Sequence, residues 1–319
     1  MNDRPLISVI IPTYNRANKL RYAIESVLAQ SYNNIQLIVI DDGSEDETKV
    51  LMENYPKAEY VIQEHAGQAA ARNNGLKHSK GEIIASLDSD DTWNEDFIER
   101  CVEKLERDQL DFVFANWIQE ARVGEDWDFL SGDPFLIPFF KNTEDGWITL
   151  SYEELRRLYM EACPSPSSSV VLRKSSIVSG WDERINVCDD WCMYLDIILS
   201  KPIKVAFTLD KLWRKRLDAI NIYDGRKRNE VLKFLYIEDT VTIMKKFEHL
   251  LSRSEMALLK RRYVSSLVEL AKHELIREYN PKQCFSLLIT SLKVDFMFTL
   301  QMIPDIAMRG LRGKLVKPD

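Results

Sequence analysis

Short apolar runs, each ending in polar residues, fill the first third of the chain. Residues 6–11, 35–40, 60–62 and 83–87 are near-continuous stretches of Ile, Val, Leu and Ala, bounded by Gly, Pro, Asn or Asp. Runs of this kind predict strands buried on both faces of a parallel sheet. Helical spacing separates them. Leu20, Ile24, Val27 and Leu28 follow the first run, and a small-residue helix over 68–77 opens at Gly67. Ser44 and Glu47 predict a capping box for the helix after the second strand. Strand and helix alternate with polar residues at each strand's carboxyl end, which predicts an α/β fold with a mostly parallel sheet flanked by helices.

Further along, a helix over 95–107 precedes a strand at 111–114. Residues 120–150 lack regular periodicity and carry Trp127, Phe129, Phe135, Phe139, Phe140 and Trp147 among Gly, Pro and Asp. Ser151 with Glu154 caps another helix, 167–172 reads as a strand, an apolar helix runs from the Asp189-Asp190 pair to 199, and 205–207 reads as the last strand. Beyond about 225 the pattern changes to long amphipathic helices over 230–249 and 254–279, and Asn280-Pro281 starts another. Two regions are therefore expected: an α/β domain over 1–225 and a C-terminal helical extension over 226–319.

Composition narrows the function. The chain has 319 residues, 45% of them hydrophobic, and a net charge of −7, which argues against general nucleic-acid binding. Five scattered cysteines form neither a disulfide framework nor a ligand pattern, so a reducing cytoplasm is expected. Cys188 and Cys192, four apart, are read as packing residues. Four dispersed histidines suggest no zinc site. The N-terminus enters a strand at once, with no signal peptide expected, and no apolar run approaches the ~18 residues that span a bilayer.

The fourth apolar run ends in Leu87-Asp88-Ser89-Asp90-Asp91, three carboxylates within four residues. Crowded like charges raise one another's pKa, and an unpaired buried carboxylate is costly. A hard cation such as Mn²⁺ or Mg²⁺ resolves the conflict. In a strand, Asp88 and Asp90 would point to one side, into a crevice at the carboxyl end of the sheet, where open α/β sheets bind ligands. An acidic turn with a helix cap is the alternative.

Five motifs in order then resemble a known family. Residues 7–15 (ISVIIPTYN), 39–44 (VIDDGS), Gly67 with Ala71-Arg72-Asn73, 87–91 (LDSDD) and Asp189-Asp190 look like the family 2 glycosyltransferases of the GT-A fold. The resemblance covers roughly residues 5–222 and leaves the helical tail outside. It implies a GT-A domain that takes a nucleotide-sugar donor, UDP favoured by family habit. Pro12, Thr13, Tyr14, Asn15, Asp42, Gly67, Arg72, Asp88 and Ser89 would bind the donor, with Asp42 accepting from the uracil ring. Arg72 would pair with Asp88 or reach the diphosphate. Asp90 is implied as the direct metal ligand, with Asp88 on the ribose or the metal. Asp190 is implied as general base, with Asp189 in reserve, in an inverting single displacement. Where many members carry Arg-x-His, this chain reads Arg216-Leu217-Asp218, so Asp218 would replace the histidine as a metal ligand. Lys211, Arg214, Lys215, Arg216, Arg226, Lys227 and Arg228 around it suit a diphosphate, an anionic membrane surface or a solvated loop.

The acceptor implied is a saccharide or a polyprenol-linked glycan, in surface polysaccharide or glycan assembly. The aromatic segment 124–147 is expected to form a lid or acceptor wall, or else a small satellite core. In the tail, Phe285, Leu288, Leu292, Phe296, Leu300 and Ile303 recur at helical spacing. Residues 281–319 hold six Lys or Arg against three Asp. That pattern suits a helix lying at the inner face of the membrane, or one packed on the domain or across a homodimer. Two other functions fit less well. A nucleotidyltransferase would want a Gly- and Lys-rich phosphate loop after the first strand. A non-catalytic nucleotide-sugar-binding module would not need Asp88, Asp90 and Asp190 together.

Overall fold

The computed structural model describes residues 4–120, 125–140, 143–216 and 228–302. The chain divides into two compact units, Met1–Glu183 with Asp189–Asp218, and Arg184–Cys188 with Ala219–Asp319. Asp218, Arg226, Lys227 and residues 303–319 of the basic tail lie outside the described residues.

The first unit is one mixed sheet flanked by helices. In chain order it contains β1 (Ile7–Thr13), α1 (Ala17–Leu28), β2 (Ile35–Asp41), α2 (Thr48–Met52), β3 (Glu59–Ile62), α3 (Gln68–His78), β4 (Ile83–Ser86), β5 (Asp91–Trp93) and α4 (Phe97–Arg107). After these come β6 (Phe112–Gln119), β7 (Trp127–Asp128), β8 (Thr143–Glu144), β9 (Trp147–Leu150), α5 (Tyr152–Glu161), β10 (Val170–Arg173), α6 (Asp189–Ser200) and β11 (Val205–Lys215). The strand order is β3-β2-β1-β4-β10-β6-β11-β9-β8, with β5 on β11 and β7 on β6.

β3, β2, β1 and β4 are mutually parallel, as the strand–helix alternation predicts. Their side chains are apolar on both faces because helices cover both; Val9, Ile10, Ile11, Ile38, Val39 and Ile40 are fully buried. α3 lies tight on β1 through Gly75, where an added Cβ would stand 2.3 Å from Ile10 Cγ2. β10 then enters antiparallel between β4 and β6, pairing Val171 with Ala85 and Leu172 with Ile84. This register carries the residues just before β10, Ser167–Ser169, to the carboxyl end of β4.

Three expectations need correction. Asp88 and Asp90 are not strand residues; β4 stops at Ser86, and Asp88 to Asp91 form a turn closed by Asp91 N–H donating to Asp88 O at 3.0 Å. Ser44 does not cap α2, because its Oγ accepts from Asn15 N–H at 2.9 Å, while Asp46 receives Thr48 N–H. The 120–150 stretch is not structureless: it supplies β7, β8, β9 and two 3₁₀ turns. Its rings are divided between interior and surface. Trp147 and Phe139 are buried, whereas Trp127 and Phe135 are exposed. The capping box Ser151/Glu154 on α5 forms as expected.

In the second unit, α7 (Arg228–Val231) runs through a π-helical segment, Leu232–Glu238, into α8 (Asp239–Phe247), followed by α9 (Arg253–Ile276) and α10 (Pro281–Val294). Ile243, Phe247, Leu259, Val264, Leu267 and Val268 form its core. Buried Asp239 accepts from the backbone N–H groups of Asn186, Val187 and Cys188. Asn280 caps α10 through Gln283 N–H, with Pro281 at the first helical position. α10 packs Cys284 and Ser291 inward and leaves Phe285 and Ile289 exposed. Among the described residues, no helix is long and apolar enough to cross a membrane.

Candidate active site

The carboxyl ends of β1, β2 and β4 meet the start of α3. Asn15, in a left-handed conformation (φ 52°), locks the loop after β1 to the loop after β2: its N–H donates to Ser44 Oγ, and its Oδ1 accepts from Glu45 N–H at 2.8 Å. Tyr14 projects from this loop and stacks on His65 with centroids 4.1 Å apart. Pro12 and Thr13 remain within β1, and Thr13 Oγ1 is buried with no hydrogen-bond partner.

Asp41 and Asp42 divide their work. Asp41 accepts from Tyr60 OH and from Ser44 N–H, which holds the sheet end. Asp42 accepts from Gln63 Nε2 (2.7 Å), Ala66 N–H (2.8 Å) and Gly67 N–H (2.8 Å), and His65 Nδ1 lies 2.9 Å from its Oδ2. The residue expected on the base therefore also anchors the 63–67 loop. Gly67 has φ 91°, a conformation that side chains rarely adopt, and nothing stands within 4 Å of where its Cβ would be.

Arg72, on α3, is the hub. One guanidinium nitrogen donates to Asp88 Oδ1 at 2.7 Å, and the other to Asp189 Oδ2 at 2.6 Å and 3.8 Å from Asp190 Oδ1. Burial alone would lower its pKa, but Asp189, Asp190 and Asp88 together hold it raised. Asp88 sits below the usual carboxylate range: burial opposes this, and Arg72 and Lys215 overcome it.

The acidic turn gathers a third carboxylate that the strand picture left out. One carboxylate oxygen each from Asp88, Asp90 and Asp91 lies within 4.8 Å of the others. Asp90 pairs with Arg16 at 2.6 Å. Asp91 accepts from Ser168 Oγ at 2.6 Å and faces Lys215 Nζ at 3.7 Å, because β5 and β11 are in register at Asp91 and Lys215. Its Oδ1 is buried and accepts no hydrogen bond. Burial pushes the Asp91 carboxyl up to about 7, with Lys215 opposing and Asp90 and Asp88 adding to the rise. Ser89 is buried beside them.

The second acidic pair opens α6. Asp189 is fully enclosed by Arg72 and by Gln68 Nε2 at 2.6 Å, and burial pushes it up to about 7 against Arg72's pull. Asp190 keeps 18% of its side chain exposed. It accepts from Ser167 N–H (2.9 Å), from Ser167 Oγ and from Trp181 Nε1 (3.2 Å). Of the residues singled out from the sequence, Arg72, Asp88, Asp189 and Asp190 meet directly, and Asp90 joins them through the acidic turn. Arg16, Asp91, Lys215, Ser167, Ser168 and Trp181 complete the cluster. Asp91 and Lys215 were visible as charge; the serines carry no motif and arrive only through the antiparallel register of β10.

Residues 8–162 match the family model described as "Glycosyl transferase family 2". That stretch is just under half of the chain, and over it the chain is similar to this family. The chain is 32% identical over 157 residues to a putative teichuronic acid biosynthesis glycosyltransferase, TuaG, of Bacillus subtilis, an alignment covering 47% of this chain and 62% of the relative. It is 38% identical over 118 residues to the Escherichia coli UDP-Glc:alpha-D-GlcNAc-diphosphoundecaprenol beta-1,3-glucosyltransferase WfgD, covering 36% and 47%. The chain thus spans less than two thirds of these relatives. In fold it is similar to the mannosyltransferase PcManGT of Pyrobaculum calidifontis, solved with GDP-Man and Mn²⁺, at a TM-score of 0.58 and 16% identity, covering 97% of this chain and 81% of that one. The fold is that of GT-A glycosyltransferases, with C-terminal helices.

Proposed function

We propose that the chain transfers a sugar, with inversion, from a nucleoside diphosphate sugar to the hydroxyl of a saccharide or polyprenol-linked acceptor in glycan assembly. The observation that carries this reading is the bridge made by Arg72. A single buried guanidinium binds Asp88 of the acidic turn at 2.7 Å and Asp189 of the second acidic pair at 2.6 Å. Donor-side and acceptor-side carboxylates therefore share one site. WfgD, by its name, uses UDP-glucose and a diphosphoundecaprenol acceptor, which favours UDP and a lipid-linked acceptor here.

The residues fit a divalent cation. Asp88, Asp90 and Asp91 offer three hard oxygen ligands, and the partnerless Asp91 Oδ1 is an acceptor still to be satisfied. Bound there, Mn²⁺ or Mg²⁺ supplies charge neutralisation for the departing diphosphate. Tyr14 and Asp42 receive the base, and Gly67 lets the nucleotide approach the backbone. Asp190 is the general base. It is the more exposed member of its pair, and Ser167 and Trp181 fix its orientation. Asp189 is committed to Arg72 and Gln68 and keeps the guanidinium in place.

Asp190→Asn should lower kcat by about 10²–10⁴-fold with little change in donor affinity, read by stopped turnover assays beside UDP titration. Equal loss of UDP binding would move Asp190 to the donor site; greater damage from Asp189→Asn would exchange the two roles.

The helical unit extends the proposal to an anionic lipid surface. Phe285, Ile289, Phe296, Met297 and Leu300 are exposed, with Lys282 and Lys293 exposed on the same stretch. Apolar side chains in the acyl boundary and lysines on headgroups suit a peripheral contact. Flotation with anionic liposomes tests this: binding at low salt that fades with added salt is expected. No binding at low salt excludes it.

A further inference from the structure

The loop over 63–67 brings one ring to the place where the donor base is read above. Asp42 accepts from four donors, two on each carboxylate oxygen: Gln63 Nε2 and Ala66 N–H on Oδ1, Gly67 N–H and His65 Nδ1 on Oδ2. His65 Nδ1 also lies 3.2 Å from Asp42 O. Both atoms facing Nδ1 are oxygens that only accept, so Nδ1 carries the hydrogen. The same imidazole lies flat on Tyr14, with centroids 4.1 Å and planes 22° apart. One ring therefore stacks on Tyr14 and donates a ring N–H to Asp42.

Those are the two contacts assigned above to the base of the donor, and they are already taken. An ionised carboxylate has about four acceptor sites, so four donors fill Asp42, and its side chain is only 4% exposed. A base N–H gains a bond to it only when one donor leaves. Three of the four are fixed. Two are backbone N–H groups, of Ala66 and Gly67, immediately before α3. Gln63 is held at both ends: its Oε1 accepts from Asn74 Nδ2, and its N–H donates to Asp41 O, each at 2.9 Å. The His65 side chain is 56% exposed, and among the described residues no other side-chain hydrogen bond or ion pair holds it. It is the donor that leaves at least cost, and the loop stays anchored to Asp42 without it.

We propose that His65 is an internal place-holder for the donor base: its imidazole occupies the base subsite in the nucleotide-free protein, and a base with a ring N–H, such as uracil, binds by driving it out into solvent. This rests on the reading of Tyr14 and Asp42 as the base subsite, and deepens it by adding an autoinhibitory contact. The consequence has a sign. Nucleotide binds only the fraction of molecules in which the ring has left, and its apparent affinity falls by that fraction. A ring that fills the subsite about nine-tenths of the time lowers the affinity about tenfold. A ring that served instead as the second wall of a base sandwich would act in the opposite direction, since its loss would weaken binding.

The test is isothermal titration calorimetry of UDP into the intact chain with Mg²⁺ present, beside pyrophosphate, which has two phosphates and no base. His65→Ala should bind UDP about tenfold more tightly than wild type and pyrophosphate with unchanged affinity. His65→Phe, which keeps a ring for Tyr14 but loses the N–H for Asp42, should fall between wild type and His65→Ala for UDP. If His65→Ala binds UDP no more tightly than wild type, the ring is a bystander or a wall of the base site, and the inference fails. An equal gain for pyrophosphate also overturns it, because the effect then lies outside the base subsite. If His65→Ala does not fold, His65→Phe decides: a wild-type thermal midpoint with no gain for UDP overturns the inference. Failure of the underlying reading is seen by adding Tyr14→Ala to His65→Ala. UDP affinity drops if Tyr14 carries the base, whatever His65 does, and stays unchanged if the base binds elsewhere.

Discussion

The two halves of the sheet solve the same problem by different routes. From β1 to β4, each strand is parallel and each polar group lies directly after the strand that aims it: Asn15 after β1, Asp42 after β2, Asp88 after β4. From β5 to β11, the site is assembled by long-range register. Ser168 meets Asp91 across 77 residues of chain, Lys215 faces Asp91 through the β5–β11 pairing, and Ser167 holds Asp190 from 23 residues away. The first half gathers its polar groups through loop sequence, whereas the second gathers them through topology. Arg72 and Asp189 are where the halves touch.

The largest effect that bears on this contrast concerns two tryptophans of one segment. Trp147 lies in β9 and is 4% exposed, whereas Trp127 is 45% exposed. Trp147→Ala should destabilise the protein by about 3–5 kcal/mol, because it opens a cavity in the sheet that carries β11. Trp127→Ala should leave the thermal midpoint nearly unchanged and raise the acceptor KM several-fold, if its ring forms the acceptor wall. Equal thermal losses would mean that the segment is one satellite core. Unchanged KM with intact folding would remove Trp127 from the acceptor.

A smaller effect sharpens the junction itself. Burial pushes Asp189 up to about 7 from an ordinary value of 3.8, with Asp190 and Asp88 adding to the rise and Arg72 opposing it. The folded state therefore binds this proton more tightly than the unfolded chain does. Its contribution to stability is fully present below about pH 4 and is lost as pH rises through about 7. Asp189→Asn should flatten the pH dependence of the metal-free thermal midpoint between those values. Parallel curves for variant and wild type would show that Asp189 is ionised throughout and that its Arg72 pair outweighs burial.

The same contrast explains what the sequence could reveal. The parallel half was legible because a buried parallel strand is apolar on both faces and must end in polar residues, so Ile7–Thr13 and Ile35–Asp41 and their loops announced themselves. The carboxylates of Asp88, Asp90 and Asp91 stood out because charge beside an apolar run demands a partner, whereas Arg72 and Asp190 came only from the family resemblance. β10 was visible as a strand but not as an antiparallel insertion, and that orientation alone brings Ser167 and Ser168 to the carboxylates. Strand alternation also misplaced Asp88 and Asp90, because the chain leaves the sheet at Ser86 and turns, which lets Asp91 join them. The serines, common and uncharged, have no pattern that separates a ligand-holding hydroxyl from a solvated one.

The claim that most depends on all of this is that the acidic turn and the strand-end loops together hold a metal and a nucleotide-sugar. Thermal unfolding across a panel of nucleoside diphosphate sugars, each with and without Mn²⁺, measures it directly, since a ligand that binds only the folded state raises the midpoint. The account predicts a shift with a UDP-sugar that requires Mn²⁺ and disappears in Asp90→Asn. A shift that is indifferent to Mn²⁺ and survives in Asp90→Asn, or no shift with any sugar nucleotide, would contradict it.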